Sequence, residues 1–181
     1  NIDRIGSWEM FTKTEKDKVS IEHILPQTPS KYYWQNQYRQ FTDEEVEMLT
    51  GALGNLIPLS QSVNSSLQND SFYDKKTTKA GRRGYENGCH SEIEVAKYND
   101  WTAENIYTRS KELLEFMENR WEFSFNNEQL DKLVYVNFAV DGRNVPEELP
   151  VPEEKPIQSK EDTDTHEYSS LDEQQKAFWV N

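Results

Sequence analysis

Cysteine is almost missing from this chain: Cys89 stands alone among 181 residues. One thiol excludes a disulfide within the chain and any zinc knuckle built on several cysteines, and it fits a reducing, cytoplasmic compartment. Long apolar runs are missing as well. None approaches the roughly 18 residues of a membrane span, and no secretory leader is recognisable. Apolar residues make up 34% of the chain and the mean hydropathy is -0.97, both below ordinary globular composition. Aromatic residues, in contrast, reach 12%, with five tryptophans. A modest aromatic core joined to a polar segment that does not fold by itself explains both figures. Because the first residue is Asn1 rather than Met, the chain is expected to be a piece of a longer protein.

The net charge of -13 is unevenly spread. Residues 127–181 hold 13 acids against 5 bases, a net of -8, which leaves -5 on the first 126 residues. A uniformly acidic chain repels nucleic acid, but here the bases cluster. Lys75, Lys76, Lys79, Arg82 and Arg83 fall within nine residues with no acid among them. A solvated face and a phosphate-tracking patch are the two readings of such a cluster.

Past residue 140 the sequence carries four of its seven prolines and many acids. It reads as a disordered or extended linker over 141–170, with His166 as a solvated linker residue. The final "LDEQQKAFWVN" over 171–181 reads as the start of a further helix or domain. Before the linker, residues 1–18 read as a short helix and loop. "VSIEHIL" reads as a strand ending at Pro26. "PQTPSKYYWQNQYRQF" has no clear periodicity. "TDEEVEMLTGAL" carries a capping box, Thr42 with Glu45, and reads as a short helix stopped at Gly51. A turn at Gly54-Asn55 leads to a strand over Leu56 to Leu59, edge-like because of Pro58. Ser60 is positioned to cap a helix that turns Val63 and Leu67 to the core. "SEIEVAKYNDW" reads as a helix. Thr102 caps the clearest helix, with Ile106, Leu113, Leu114, Met117 and Trp121 as its core stripe. Arg109 lies beside that stripe and reads as a structural ion-pair partner. Cys89-His90 does not read as a metal pair.

The residues that suggest chemistry come in order: Glu22-His23 on a strand, Asn55 opening a second strand, and Asn64 nine residues later in a helix. Taken singly they are ordinary: a strand histidine satisfied by its neighbour, a turn asparagine, a helix-start hydrogen bonder. Together they resemble the ββα-metal, or HNH (His-Me finger), nuclease core. Many members of that family place zinc-binding cysteines around the core; Ser60 and Val63 stand there instead, so no structural zinc is expected. "IEHILPQ", "LGNLIPLSQSVNSSLQNDSFYDKK" and "WTAENIYTRSKELLEFMENRW" are more closely similar to the C-terminal nuclease domain of GmrSD-type modification-dependent (type IV) restriction endonucleases, over about residues 5 to 125.

That resemblance implies an α+β fold. A mostly helical domain over 1–140 surrounds the ββα-metal core, an aromatic-rich insertion from Thr28 to Thr50 lies inside the hairpin, and a disordered acidic Pro-rich tail follows. It implies a metal-dependent DNA endonuclease or nickase. His23 would be the general base; its ordinary pKa near 6.5 leaves it mostly neutral in the cell. Glu22 and Asn64 would hold Mg²⁺ or Mn²⁺ through oxygen. Asn55 completes the catalytic group by fixing the hairpin and orienting the His-bearing loop. Lys75 and Lys76 would neutralise the scissile or flanking phosphate, with Lys79, Arg82 and Arg83 continuing the DNA contact. Expected partners are DNA, including modified phage DNA, an N-terminal ParB-like NTPase or sensor domain of the full-length protein, and a second copy where both strands are cut. In an ideal strand Glu22 and Glu22's neighbour His23 point to opposite faces, so one shared metal site requires the strand to curl towards Pro26. Two other readings stand beside this one: a catalytically silent DNA-binding or docking domain, and an RNase-type toxin with the same core.

Overall fold

The structure, a computed structural model, describes residues 18–152. The expectations for residues 1–17 and for the chain beyond residue 152, His166 included, lie outside the described residues. One compact unit ends at Pro150 and a second begins at Val151.

Among the described residues the fold is α+β and mostly helical, with seven α-helices and one two-stranded sheet. Strand β1, Val19–His23, pairs antiparallel with β2, Leu56–Ser60, in a register that matches Glu22 with Ile57 and His23 with Leu56. The long excursion between the strands holds α1, Tyr32–Gln37, and α2, Asp43–Gly51. Helix α1 falls where the residues show no periodic signal. It is short and buries only Trp34, whose indole nitrogen donates to the Asp70 carbonyl at 3.1 Å. Helix α2 has the expected capping box, with both reciprocal Thr42–Glu45 bonds made. After a 3₁₀ turn over Leu53–Asn55, β2 leads into α3, Gln61–Leu67, and α4, Phe72–Lys76. Ser60 occupies the N-cap of α3, although its hydroxyl makes no capping bond.

Helix α5, His90–Ala96, precedes the long α6, Ala103–Trp121, where the Thr102 hydroxyl accepts from Asn105 N at 3.2 Å. Ile106 and Leu114 are buried as the stripe requires, but Trp121 is 58% exposed because it lies at the helix end, beyond the core. A last helix, α7 over Asn127–Val134, has its own Asn126–Gln129 capping box and was not expected from the sequence. The chain expected to leave the domain near residue 140 continues against it instead. Arg143 pairs with Glu45 and lies over the Phe41 and Phe138 rings. The Pro146 carbonyl accepts from Arg39, and the Leu149 carbonyl from the Tyr32 hydroxyl.

The core is aromatic, as the composition suggested: Trp34, Tyr85, Phe72 and Trp101 are buried to 1% exposure or less. The hairpin reaches α6 by close backbone contact at Gly54. A Cβ there would fall 2.0 Å from the Ile106 carbonyl oxygen and 2.8 Å from Ser110 N. Gly54 N instead donates to the Ser110 hydroxyl at 2.8 Å, and that hydroxyl donates to Ile106 O. Arg109 extends the same seam by donating to the carbonyls of Gly54 and Leu56. Its role is structural as expected, but its partners are carbonyls rather than acids. Because backbone atoms obstruct the site, Gly54→Ala is expected to destabilise by at least about 3 kcal/mol. Thr102→Ala, which loses only a cap, costs about 1 kcal/mol. Urea denaturation of the two variants measures the difference.

Candidate active site

Antiparallel pairing runs to the last residue of β1, with His23 opposite Leu56, and both Glu22 and His23 line one cleft. Glu22 shares the inner face with Ile57 and is 4% exposed, whereas Ile21 on the outer face is 55% exposed. The apolar–polar order is therefore inverted: the acid points in and the isoleucine out. Burial of the acid is compensated. Glu22 Oε1 accepts from Lys75 Nζ at 2.6 Å and from the Tyr85 hydroxyl at 2.9 Å. Lys75 is fully buried and also donates to the carbonyls of His23, at 3.0 Å, and Ile24, at 3.1 Å. Burial lowers the Lys75 pKa from its ordinary value, with Glu22 opposing the shift. Phosphate contact by Lys75 is thereby corrected: its ammonium is inside the protein and occupied.

His23 opens onto a cleft of about 490 Å³ whose lining includes Glu22, Asn64, Pro26 and Asn69. Its pKa is lowered from 6.5, chiefly because partial burial disfavours the imidazolium; Glu22 opposes this and the Lys75 charge reinforces it. The ring is therefore neutral at neutral pH and able to accept a proton. Asn64, on α3, donates through Nδ2 to the Ser20 hydroxyl at 2.8 Å and to the Ile21 carbonyl at 3.1 Å. This bond pair ties α3 to β1, and Oδ1 accepts no hydrogen bond from the described residues. Gln68, which ends α3 and lines the cleft, adopts φ 40°, a left-handed conformation costly for a residue with a side chain.

Asn55 is fully buried and does not line the cleft. Its Oδ1 accepts from Leu25 N at 2.7 Å and from Trp101 Nε1 at 3.0 Å. Its Nδ2 donates to the carbonyls of Leu25 and Thr50, both at 2.9 Å. Two donors and two acceptor positions are all used, so Asn55 is a positioning residue with no atom left for substrate. Tyr85 and Trp101, which complete these networks, carry no motif signal in the sequence.

The basic cluster is not a free stripe. Lys79 pairs with Asp74 at 2.7 Å, Arg82 with Asp70 at 2.6 Å and Arg83 with Glu92 at 2.5 Å. Lys76 donates to the Tyr98 carbonyl at 2.9 Å and lies over the Phe72 ring. Acids absent from the run itself arrive from α4, α5 and the turn before α4, so the bases of the cluster are paired within the domain. Cys89 caps α5, and His90 is exposed beside Glu94.

The donors around the cleft suit a hard divalent ion. Such an ion keeps several waters and needs only one or two protein oxygens. Neither Asn64 Oδ1 nor Glu22 Oε2 makes a hydrogen bond to a described residue. Among the described residues no group of three His, Cys, Asp or Glu side chains is placed to hold a metal.

Two outcomes follow from this geometry. Asn55→Ala strands four buried polar groups and is expected to destabilise by at least about 3 kcal/mol in urea titration. In the metal-free protein, the His23 ring is expected to titrate below the ordinary 6.5 in an NMR pH series, with the signal assigned by its loss in His23→Ala.

A family model described as the C-terminal domain of GmrSD restriction endonucleases matches residues 6–116. Neither curated proteins nor solved structures give a match. The match spans the hairpin with its long excursion, the cleft, the buried Glu22–Lys75 pair and most of α6. On that extent and those motifs, the chain belongs to the C-terminal domain family of the GmrSD restriction endonucleases.

Proposed function

We infer that this domain hydrolyses phosphodiester bonds in DNA as an HNH-type, metal-dependent endonuclease or nickase, with His23 as the base that takes the proton from the attacking water. The observation that carries this reading is the cleft in which the His23 imidazole, held neutral by burial, meets Glu22 and Asn64. The order strand, strand, helix over β1, β2 and α3 agrees with a ββα-metal core.

Asn64 Oδ1 and Glu22 Oε2 are the atoms that would hold Mg²⁺ or Mn²⁺. Held there, such an ion would supply positive charge against the negative charge that develops during phosphodiester hydrolysis. His23 accepts the water proton because it is unprotonated at the working pH. Asn55 fixes the backbone just beyond His23 through Leu25. A phosphate reaching Lys79, Arg82 or Arg83 would exchange with the carboxylates that hold them. Recognition of modified phage DNA falls to an N-terminal ParB-like NTPase or sensor domain of the full-length protein. Double-strand cleavage falls to a pair of copies, since one such site cuts one strand.

A supercoiled-plasmid nicking assay tests the reading. Wild-type chain with Mg²⁺ or Mn²⁺ is expected to convert plasmid to the nicked form, and chelation to stop it. His23→Ala is expected to lower the rate by about 10²- to 10⁴-fold. Undiminished cutting by His23→Ala removes the assigned base, and plasmid left intact even with partner domains added removes the enzyme. Faster cleavage of RNA than DNA would turn the substrate assignment to RNA.

A further inference from the structure

Lys75 is a fully buried charged group whose every proton is used. Its side chain is 0% exposed, and each of its three contacts goes to one short stretch of chain: the Glu22 carboxylate and the carbonyls of His23 and Ile24. An ammonium has three protons to donate, and these three contacts use all of them. Burying a charge is costly unless it is paired and fully hydrogen-bonded, and the sequence supplies that pairing 53 residues away from Glu22. A hydrophobic residue opposite a hydrophobic residue would fill the same space without that cost. The ion pair therefore does something packing alone does not: it fixes the direction of two successive carbonyls, those of His23 and Ile24, and so the backbone from which the imidazole projects.

From this arrangement we propose that Lys75 is a positioning residue of the cleavage site, clamping the end of β1 so that the His23 ring and the Glu22 carboxylate keep their places at the cleft. Tyr85 is the second arm of the clamp, since its hydroxyl donates to the same Glu22 oxygen at 2.9 Å. The α4 segment that carries Lys75 is held in turn by its Ser71 cap, which accepts from Asp74 N at 3.2 Å, and by Phe72 stacked on Trp101. Trp101 also donates to Asn55, so both supports of the His23 backbone end on one indole ring. The proposal rests on the phosphodiester-cleavage reading and separates Lys75 from the phosphate contacts its sequence neighbourhood suggests.

The test compares Lys75→Met, Tyr85→Phe and the remote control Lys132→Met in the full chain. DNA cleavage with Mg²⁺, DNA affinity as a function of salt, and NMR are the readouts. Lys75→Met is expected to lower kcat by about 10- to 100-fold, the cost of a small misplacement of a reacting group, with KM unchanged. The slope of log Kd against log salt is also unchanged, because no phosphate contact has been lost. Tyr85→Phe, which keeps the ion pair, is expected to lower kcat several-fold in the same pattern and decides the matter if Lys75→Met does not fold. In NMR of the metal-free protein, the His23 ring signals move in both variants and stay fixed in Lys132→Met. Three outcomes overturn the proposal: wild-type kcat in both variants, a shallower salt slope with kcat retained, or His23 ring signals that do not move. Failure of the cleavage reading is distinct, because it shows as equal cutting by His23→Ala or as no cutting by the wild type. The NMR comparison still decides the clamp in that case.

Discussion

The side-chain amide of Asn55 is the point on which the rest of the molecule hangs. Its four hydrogen bonds join the chain just past β1, the end of α2 and the tryptophan that precedes α6. With its main-chain carbonyl accepting from Ile24 N at 3.0 Å, it continues the pairing of the two strands beyond their last regular residue. No apolar residue can do this, because the free peptide groups of Leu25 are polar and buried. The neighbouring Gly54 is the other half of the same constraint. Asn55 reaches inward only because the turn before it lies against the backbone of α6, a distance that no side chain would permit. Fold and site are thus set by one two-residue corner.

Electrostatics divides the domain into an inner and an outer account. Inside, Glu22 and Lys75 cancel one another close to His23, and their opposite effects on the imidazole partly offset, leaving desolvation as the leading influence. Outside, the bases of the turn region are neutralised by Asp70, Asp74 and Glu92.

Much of the fold was legible in the sequence, for local reasons. The α2 capping box, the Thr102 cap of α6 and the two β-branched or aliphatic strands each depend on residues within one or two turns of one another. What was not legible depends on partners far along the chain. The Ile21-Glu22 order reads as apolar-in and polar-out, and only Lys75 and Tyr85 reverse it. The run from Lys75 to Arg83 looks like free positive charge until Asp70, Asp74 and Glu92 are brought to it by the turn around Gly81, whose φ of 77° favours glycine. Helix α1 escaped because six residues burying one tryptophan carry no periodicity. Of the site, His23 and Asn64 line the cleft where the motif spacing puts them, while Asn55 and Lys75 turned inward to support it.

The groups that shape the cleft are widely scattered: Ser20 to Leu25, Asn55, Asn64, Lys75, Tyr85 and Trp101. Gly54 then needs the first turns of α6 against it. During synthesis the indole that holds the backbone support of His23 comes some eighty residues after the histidine itself. A growing chain therefore carries its histidine without its surroundings, and the cleft is complete only once α6 has left the ribosome.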